Sequence, residues 1–195
     1  MAQRNSGYAR EARDKYQTPA FVTRALLPHI PSRVRHIWEC AAGDGYMVRV
    51  LREAGYEVTP TDIVDGVDFI STAGRPAGID AIITNPPYDQ APAFCAQALG
   101  WMSRVKSCGF VAMLLRIDFD SAKTRRSLFA DNPHFAKKLV LLDRIRWEGI
   151  EQHTASPSYN HCWMIFDKYH IGPPTIAYAK KDEGIGVNKK ERDAA

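Results

Sequence analysis

The chain has 195 residues, 45% hydrophobic and 25% charged, enough for one globular domain that buries about 70% of its extended surface without staples. Its four cysteines, Cys40, Cys95, Cys108 and Cys162, form no C-x-x-C pair, which argues against a zinc site or a disulfide framework, and no metal is expected. A net charge of +4 permits a nucleic-acid partner without demanding one, and with no apolar leader and no run of membrane-spanning length the expectation is a soluble cytoplasmic protein with no membrane partner.

In chain order, residues 1–14 read as a polar, basic arm carrying Arg4, Arg10 and Arg13. A helix is expected from "YQTPAFVTRALLPHI", with Thr18 as N-cap and Pro19 at the first helical position. "VRHIWEC" (34–40) reads as a strand, "AAGDG" as a tight turn, and "YMVRVLREAG" (46–55) as a helix closed by Gly55. Strands follow at 56–63 and 79–84, then a long amphipathic helix at 91–106. "GFVAMLLRI" (109–117) is wholly apolar and so belongs in the middle of a sheet. A helix is expected at 121–132, stopped by Asn132-Pro133, and late strands at 138–145 and 161–168. The charged segment from 176 to 195 reads as a disordered tail, leaving 15–175 as the one domain. Alternating strands and helices imply an α/β fold with a mainly parallel sheet covered on both faces.

Two stretches carry chemistry. In "WECAAGDGY" an acid, Glu39, ends a strand, and Ala41, Gly43, Asp44 and Gly45 make a turn that opens a helix, where glycines allow a ligand close to the backbone. Asp62 ends the next strand about 20 residues later, where a carboxylate can bond ribose hydroxyls or simply be a loop acid. Asp68 and Phe69 read either as an adenine site or as a loop acid beside a core aromatic. In "IDAIITNPPYDQ" an apolar strand is cut off by Pro86 and Pro87, which cannot donate to a ladder. Asn85 and Tyr88 are thereby held on a stiff loop at the strand's carboxyl end, where open α/β sheets bind ligands.

Taken in order, these segments resemble the amino-group methyltransferases that use S-adenosylmethionine, and in particular the compact adenine-N6 DNA methyltransferases of phages and mobile elements. "DKYQTP", with Tyr16, Gln17, Thr18 and Pro19, resembles their N-terminal cofactor segment; "ECAAGDG" resembles the glycine-rich motif. "TDI", with Asp62 and Ile63, resembles the ribose acid, Asp68-Phe69 the adenine site, and "NPPY" (Asn85, Pro86, Pro87, Tyr88) the catalytic tetrapeptide. The resemblance covers residues 14–168. It implies S-adenosylmethionine as cofactor and a three-layer Rossmann-like class I methyltransferase fold, with a seven-stranded, mostly parallel sheet and one late antiparallel strand, for which "HCWMIFDK" is the candidate. NPPY also occurs in enzymes that methylate guanine N2 in RNA or glutamine in proteins, so an RNA or protein substrate is the alternative to DNA. A cofactor-binding module without turnover is the alternative outside enzymes.

The resemblance implies chemistry by positioning. Asn85's side-chain oxygen and the Pro86 carbonyl accept the two N–H bonds of an adenine amino group, freeing its lone pair for the methyl, while Tyr88 stacks on the base. A duplex base must be flipped to reach such a site. Trp147 is the candidate second wall, or else fills core at a strand end. Lys123, Arg125 and Arg126 are candidate phosphate contacts, or a solvated face. His153 and His161 are read as surface or structural residues. Without a separate target-recognition domain, short or relaxed specificity is expected, or the help of a dimer partner.

Overall fold

The computed structural model describes residues 17–147 and 159–179. Its sheet contains β1 (His36–Glu39), β2 (Glu57–Pro60), β3 (Ala81–Thr84), β4 (Phe110–Arg116), β5 (Phe135–Leu141), β6 (His161–Asp167) and β7 (Thr175–Ala179). They lie side by side in the order β2-β1-β3-β4-β6-β5-β7. β6 runs antiparallel to both β4 and β5, and the remaining pairings are parallel. The expected late antiparallel strand is therefore β6, and the sheet has the expected seven strands.

The two central strands are buried along nearly their whole length, as their unbroken apolar sequences require. Successive residues alternate between two cores. Ile83, Ala112 and Leu114 join Val22 and Leu26 of α1 (Ala20–Leu26) and Val48 and Leu51 of α2 (Tyr46–Glu53). Ile82, Val111, Met113 and Leu115 join Phe94, Ala98 and Trp101 of α3 (Ala91–Arg104). Each of the buried Val, Leu, Ile and Met side chains contributes roughly 1.5–3 kcal/mol. The indole N–H of Trp163 donates to the Val22 carbonyl at 2.9 Å, pinning α1 to β6.

Three expectations are corrected. Thr18 does not cap α1: the cap position is Pro19, whose side chain has no acceptor, and the Thr18 hydroxyl accepts from Asn85 instead. The expected helix at 121–132 is instead a pair of 3-10 turns, Phe119–Ser121 and Lys123–Leu128. Its apolar residues do not recur with helical period; the segment is held by Phe119 and Phe129 packed edge to face at 5.9 Å. Finally, Thr175–Ala179, placed mostly in the tail by sequence, pairs in parallel with β5, so the domain extends to Ala179. Its side chains are largely exposed, as on a sheet edge, and hence lack the apolar run that marks a strand. Among the described residues, no helix is long and apolar enough to cross a membrane.

Because β1 lies between β2 and β3, the chain reverses its direction of growth at the β1/β3 boundary. The carboxyl ends of these strands deliver the glycine turn and the NPPY loop to adjacent positions at that switch point. The antiparallel sense of β6 brings its first residue to the same edge, with His161 opposite Arg116 at the end of β4.

Candidate active site

The glycine turn is fastened from both sides. Gly43 and Gly45 have φ of +51° and +78°, a region that disfavours any side chain. The Gly43 amide donates to Asp62 Oδ2 at 2.9 Å, and the Val64 amide donates to Asp62 Oδ1 at 3.1 Å. Asp62 thus ties the turn after β1 to the end of β2, while Ile63 and Val64 beyond it are 65% and 54% exposed. Gln17 lies over the turn, its Nε2 donating to Asp44 Oδ2 at 2.6 Å. A Cβ on Gly43 would come within 3.7–3.8 Å of that Gln17 amide. Ala41 contributes its backbone, donating to Glu39 Oε1 at 3.1 Å.

Glu39 is only 1% exposed. Its Oε1 also accepts from the Thr84 hydroxyl at 2.6 Å, across the β1/β3 boundary. Burial pushes its carboxyl up to about 8, against the Thr84 and Ala41 bonds and with the Asp62 charge. Its Oε2 is buried without a partner among the described residues.

The NPPY loop follows Thr84 directly. Asn85 Nδ2 donates to the Thr18 hydroxyl at 3.1 Å, so the N-terminal segment and the tetrapeptide meet although 67 residues apart. Asn85 Oδ1 is buried without a partner among the described residues. Pro86 is buried, and Pro87 closes a turn through its carbonyl, which accepts from the Gln90 amide at 3.0 Å. The Tyr88 ring stacks on His161 at 5.6 Å and 25° and meets Trp147 edge-on at 6.2 Å. Trp147 in turn stands edge-on to His161 at 5.3 Å and 88°. His161 is 3% exposed, and burial first, then the nearby Arg116 charge, push its imidazole down to about 4 against the pull of Asp118. At neutral pH this ring is uncharged.

The fold brings Gln17, Thr18, Pro19, Glu39, Ala41, Gly43, Asp44, Gly45, Asp62 and Asn85 to the switch point, and Tyr88 and Trp147 into one ring cluster beside it. Tyr16 lies outside the described residues. Asp68 accepts from the Ser71 hydroxyl at 2.7 Å and the Ile70 amide at 3.0 Å, bonds that hold its carboxyl below the usual range. Phe69 is 1% exposed, 5.0 Å from both Trp38 and Phe94, which gives its ring the place of a core aromatic. Of the basic segment, only Arg125 is half-buried, and Arg126 is exposed but paired within the segment. Arg125 donates to the Phe119 carbonyl at 2.6 Å and covers that ring at 4.0 Å, and Arg126 pairs with Asp131 at 2.8 Å, whereas Lys123 is exposed.

Sequence reasoning missed Thr84 and the part played by His161. Thr84 had a signal, being the one polar side chain at the end of an apolar strand. His161 had none, since stacking across 73 positions of sequence depends on the order of strands.

No family model matches the chain, and no curated protein matches it. Among solved structures it is similar to a protein from Vibrio vulnificus YJ016 described as a modification subunit of a type I restriction enzyme. The two are 14% identical over 91% of this chain and 49% of that one, with a TM-score of 0.55. The 23S rRNA methyltransferase ErmE is 14% identical over 82% of this chain and 70% of that one, with a TM-score of 0.47. A protein-(glutamine-N5) methyltransferase from Alicyclobacillus acidocaldarius is 21% identical over 76% and 90%, with a TM-score of 0.39. The chain spans about half the length of the Vibrio protein. What it shares with that protein is the fold: an α/β domain built on a mostly parallel sheet, of seven strands here, with one antiparallel strand.

Proposed function

We propose that this chain transfers a methyl group from S-adenosylmethionine to the N6 amino group of adenine in DNA, taking the base out of the stack. One observation carries the reading above the others. At the switch point Asn85 turns its Nδ2 to Thr18, and its buried Oδ1 is left as an acceptor without a donor among the described residues. A buried acceptor without a donor costs about 1–3 kcal/mol, and an amino group of the substrate would relieve that cost.

The residues at the switch point fit the cofactor. The open Gly43 turn takes a ligand against its backbone, Gln17 and Asp44 border it, and the partnerless Oε2 of the protonated Glu39 is a polar atom left for a ligand to engage. S-adenosylmethionine, when bound, supplies a methyl group on a sulfonium, with its leaving group already in place. The protein's part is then to bind, orient and exclude water. Asn85 Oδ1 and the Pro86 carbonyl accept the two amino hydrogens and aim the nitrogen's lone pair; Pro87 keeps the loop stiff. Tyr88 and Trp147 offer the target base its faces. His161 stays neutral behind them and holds the Tyr88 ring. On this reading the partner is DNA and the compartment is the cytoplasm. A fold shared with a modification subunit agrees with it.

The test is nucleoside mass spectrometry after incubation with S-adenosylmethionine and unmethylated duplex DNA, single-stranded DNA or RNA, with Asn85→Ala as control. N6-methyladenine in DNA and not in the control is the expected result. Methylation of RNA alone, or of glutamine in added protein, overturns the DNA substrate while keeping the chemistry. Cofactor binding with no product in any sample overturns the enzyme.

A further inference from the structure

Asn85 is gripped at one end of its amide only. Its Nδ2 donates to the Thr18 hydroxyl at 3.1 Å, while the buried Oδ1 has no donor among the described residues. A side-chain amide carries an acceptor at one end and two donors at the other, and turning it over exchanges them with little change of shape. An amide that presented Nδ2 to a substrate amino group would set donors against donors. Which end faces the substrate therefore matters as much as where the side chain stands, and the partner of the other end decides it.

Thr18 is that partner, and the chain is fastened on either side of it. Thr18 is 5% exposed, and its β-branched side chain is stiff at χ1. Before it, Gln17 is tied to Asp44 at 2.6 Å. After it, the Pro19 carbonyl accepts from the Val22 amide at 3.0 Å, and the Val22 carbonyl accepts from the Trp163 indole at 2.9 Å. Asn85 is held as firmly: Thr84 before it donates to Glu39 at 2.6 Å, and Pro86 after it restricts the backbone. The hydroxyl's own proton has no acceptor among the described residues, so it stays available to a ligand against the glycine turn. A ligand that takes it keeps the oxygen turned to Asn85.

We propose that Thr18 is a positioning residue: by accepting from Nδ2 it holds the Asn85 amide with Oδ1 toward the amino group that is methylated. The inference rests on the amino-methyltransferase reading of the site, and it gives Thr18 a part separate from any contact with the cofactor. The segment before α1 then acts on the chemistry through the tetrapeptide, without touching the substrate itself.

The experiment compares the full chain with Thr18→Val, which keeps the shape and removes the hydroxyl, and with Thr18→Ser, which keeps the hydroxyl. The first readout is NMR of protein carrying isotope-labelled asparagine, free of cofactor and DNA, with the Asn85 side-chain amide identified by its loss in Asn85→Ala. Its protons should exchange slowly with water in the wild type and in Thr18→Ser, and about tenfold faster in Thr18→Val. The second readout is methyl transfer to unmethylated DNA, or to whichever polymer the wild type methylates. Thr18→Val should lower kcat about ten- to hundredfold, the effect of leaving one buried donor unpaired. KM for the polymer, and cofactor affinity by calorimetry, should stay within a few-fold of the wild type, and Thr18→Ser should restore kcat. Wild-type kcat or unaltered amide exchange in Thr18→Val overturns the inference and leaves the methyltransferase reading standing. So does a loss of cofactor affinity as large as the loss of kcat, which would make Thr18 a cofactor contact alone. A wild type that transfers no methyl group to any polymer overturns both.

Discussion

The two halves of the carboxyl edge are built from different materials. Around β1, β2 and β3 the site is a web of short hydrogen bonds: Asp62 to Gly43, Thr84 to Glu39, Gln17 to Asp44, Asn85 to Thr18. Around β4 and β6 it is made of rings and guanidinium groups: Tyr88, Trp147 and His161, then Arg116 over Tyr159. The first half buries an acid that burial keeps protonated; the second buries a histidine that burial keeps neutral. The contrast suits two ligands. A small cofactor with fixed polar groups is best met by directional donors and acceptors, whereas a base that enters and leaves is best met by flat faces that tolerate sliding.

The comparison is broken most severely at the boundary between the halves. Asn85→Ala should lower kcat for methyl transfer about 10²–10³-fold, as removal of one preorganised polar partner does, with cofactor affinity changed only a few-fold. Equal losses in both quantities would mean that Asn85 serves the cofactor half alone.

The next effects are opposite pH signatures. Glu39 would ionise near pH 4.5 in the unfolded chain but holds its proton to about pH 8 when folded. Its contribution therefore destabilises progressively as pH rises through that window, by up to about 5 kcal/mol, and levels off above it. His161 would take a proton near pH 6.5 when unfolded but resists to about pH 4 when folded. Its contribution is fully present above pH 6.5 and lost as pH falls to about 4, by up to about 3 kcal/mol. Thermal melts across pH should show Glu39→Gln gaining on the wild type at pH 8 and matching it near pH 4.5, and His161→Phe flattening only the acid limb. The same limb flattened by both variants would remove the distinction.

Trp147→Ala sharpens the comparison more gently. It should raise KM for DNA about tenfold through lost stacking while cofactor binding stays unchanged. A cofactor effect of equal size would make Trp147 core filling. The smallest change is expected of Arg126→Gln. Its exposed pair with Asp131 is screened by solvent, so stability should hardly change, and DNA affinity should fall only slightly. A large loss of DNA affinity would make the basic segment the backbone contact.

Much of this arrangement is legible in the order of the amino acids. The unbroken apolar runs at β3 and β4 require burial on both faces, the glycines around α2 mark its ends, and Pro86-Pro87 can only end a strand. Those features depend on local chemistry, and the folded chain keeps them. The turn at 119–128 and the edge strand β7 are not legible in that way, for one has no helical period and the other no apolar run. Asp68-Phe69 admits two readings in sequence, and it is packing against Trp38 and Phe94 that buries the ring.

The sequence by itself determined which chemical groups stand at strand ends: an acid and glycines after one strand, an amide, two prolines and a tyrosine after another. Spacing and backbone restriction act over a few residues and need no partner. Only the tertiary structure decided which of these groups meet. Thr18 reaches Asn85, Thr84 reaches Glu39, and His161 lies under Tyr88 because the order β2-β1-β3-β4-β6 sets those strand ends side by side. Strand order is a global outcome of packing two apolar faces, and no local pattern encodes it.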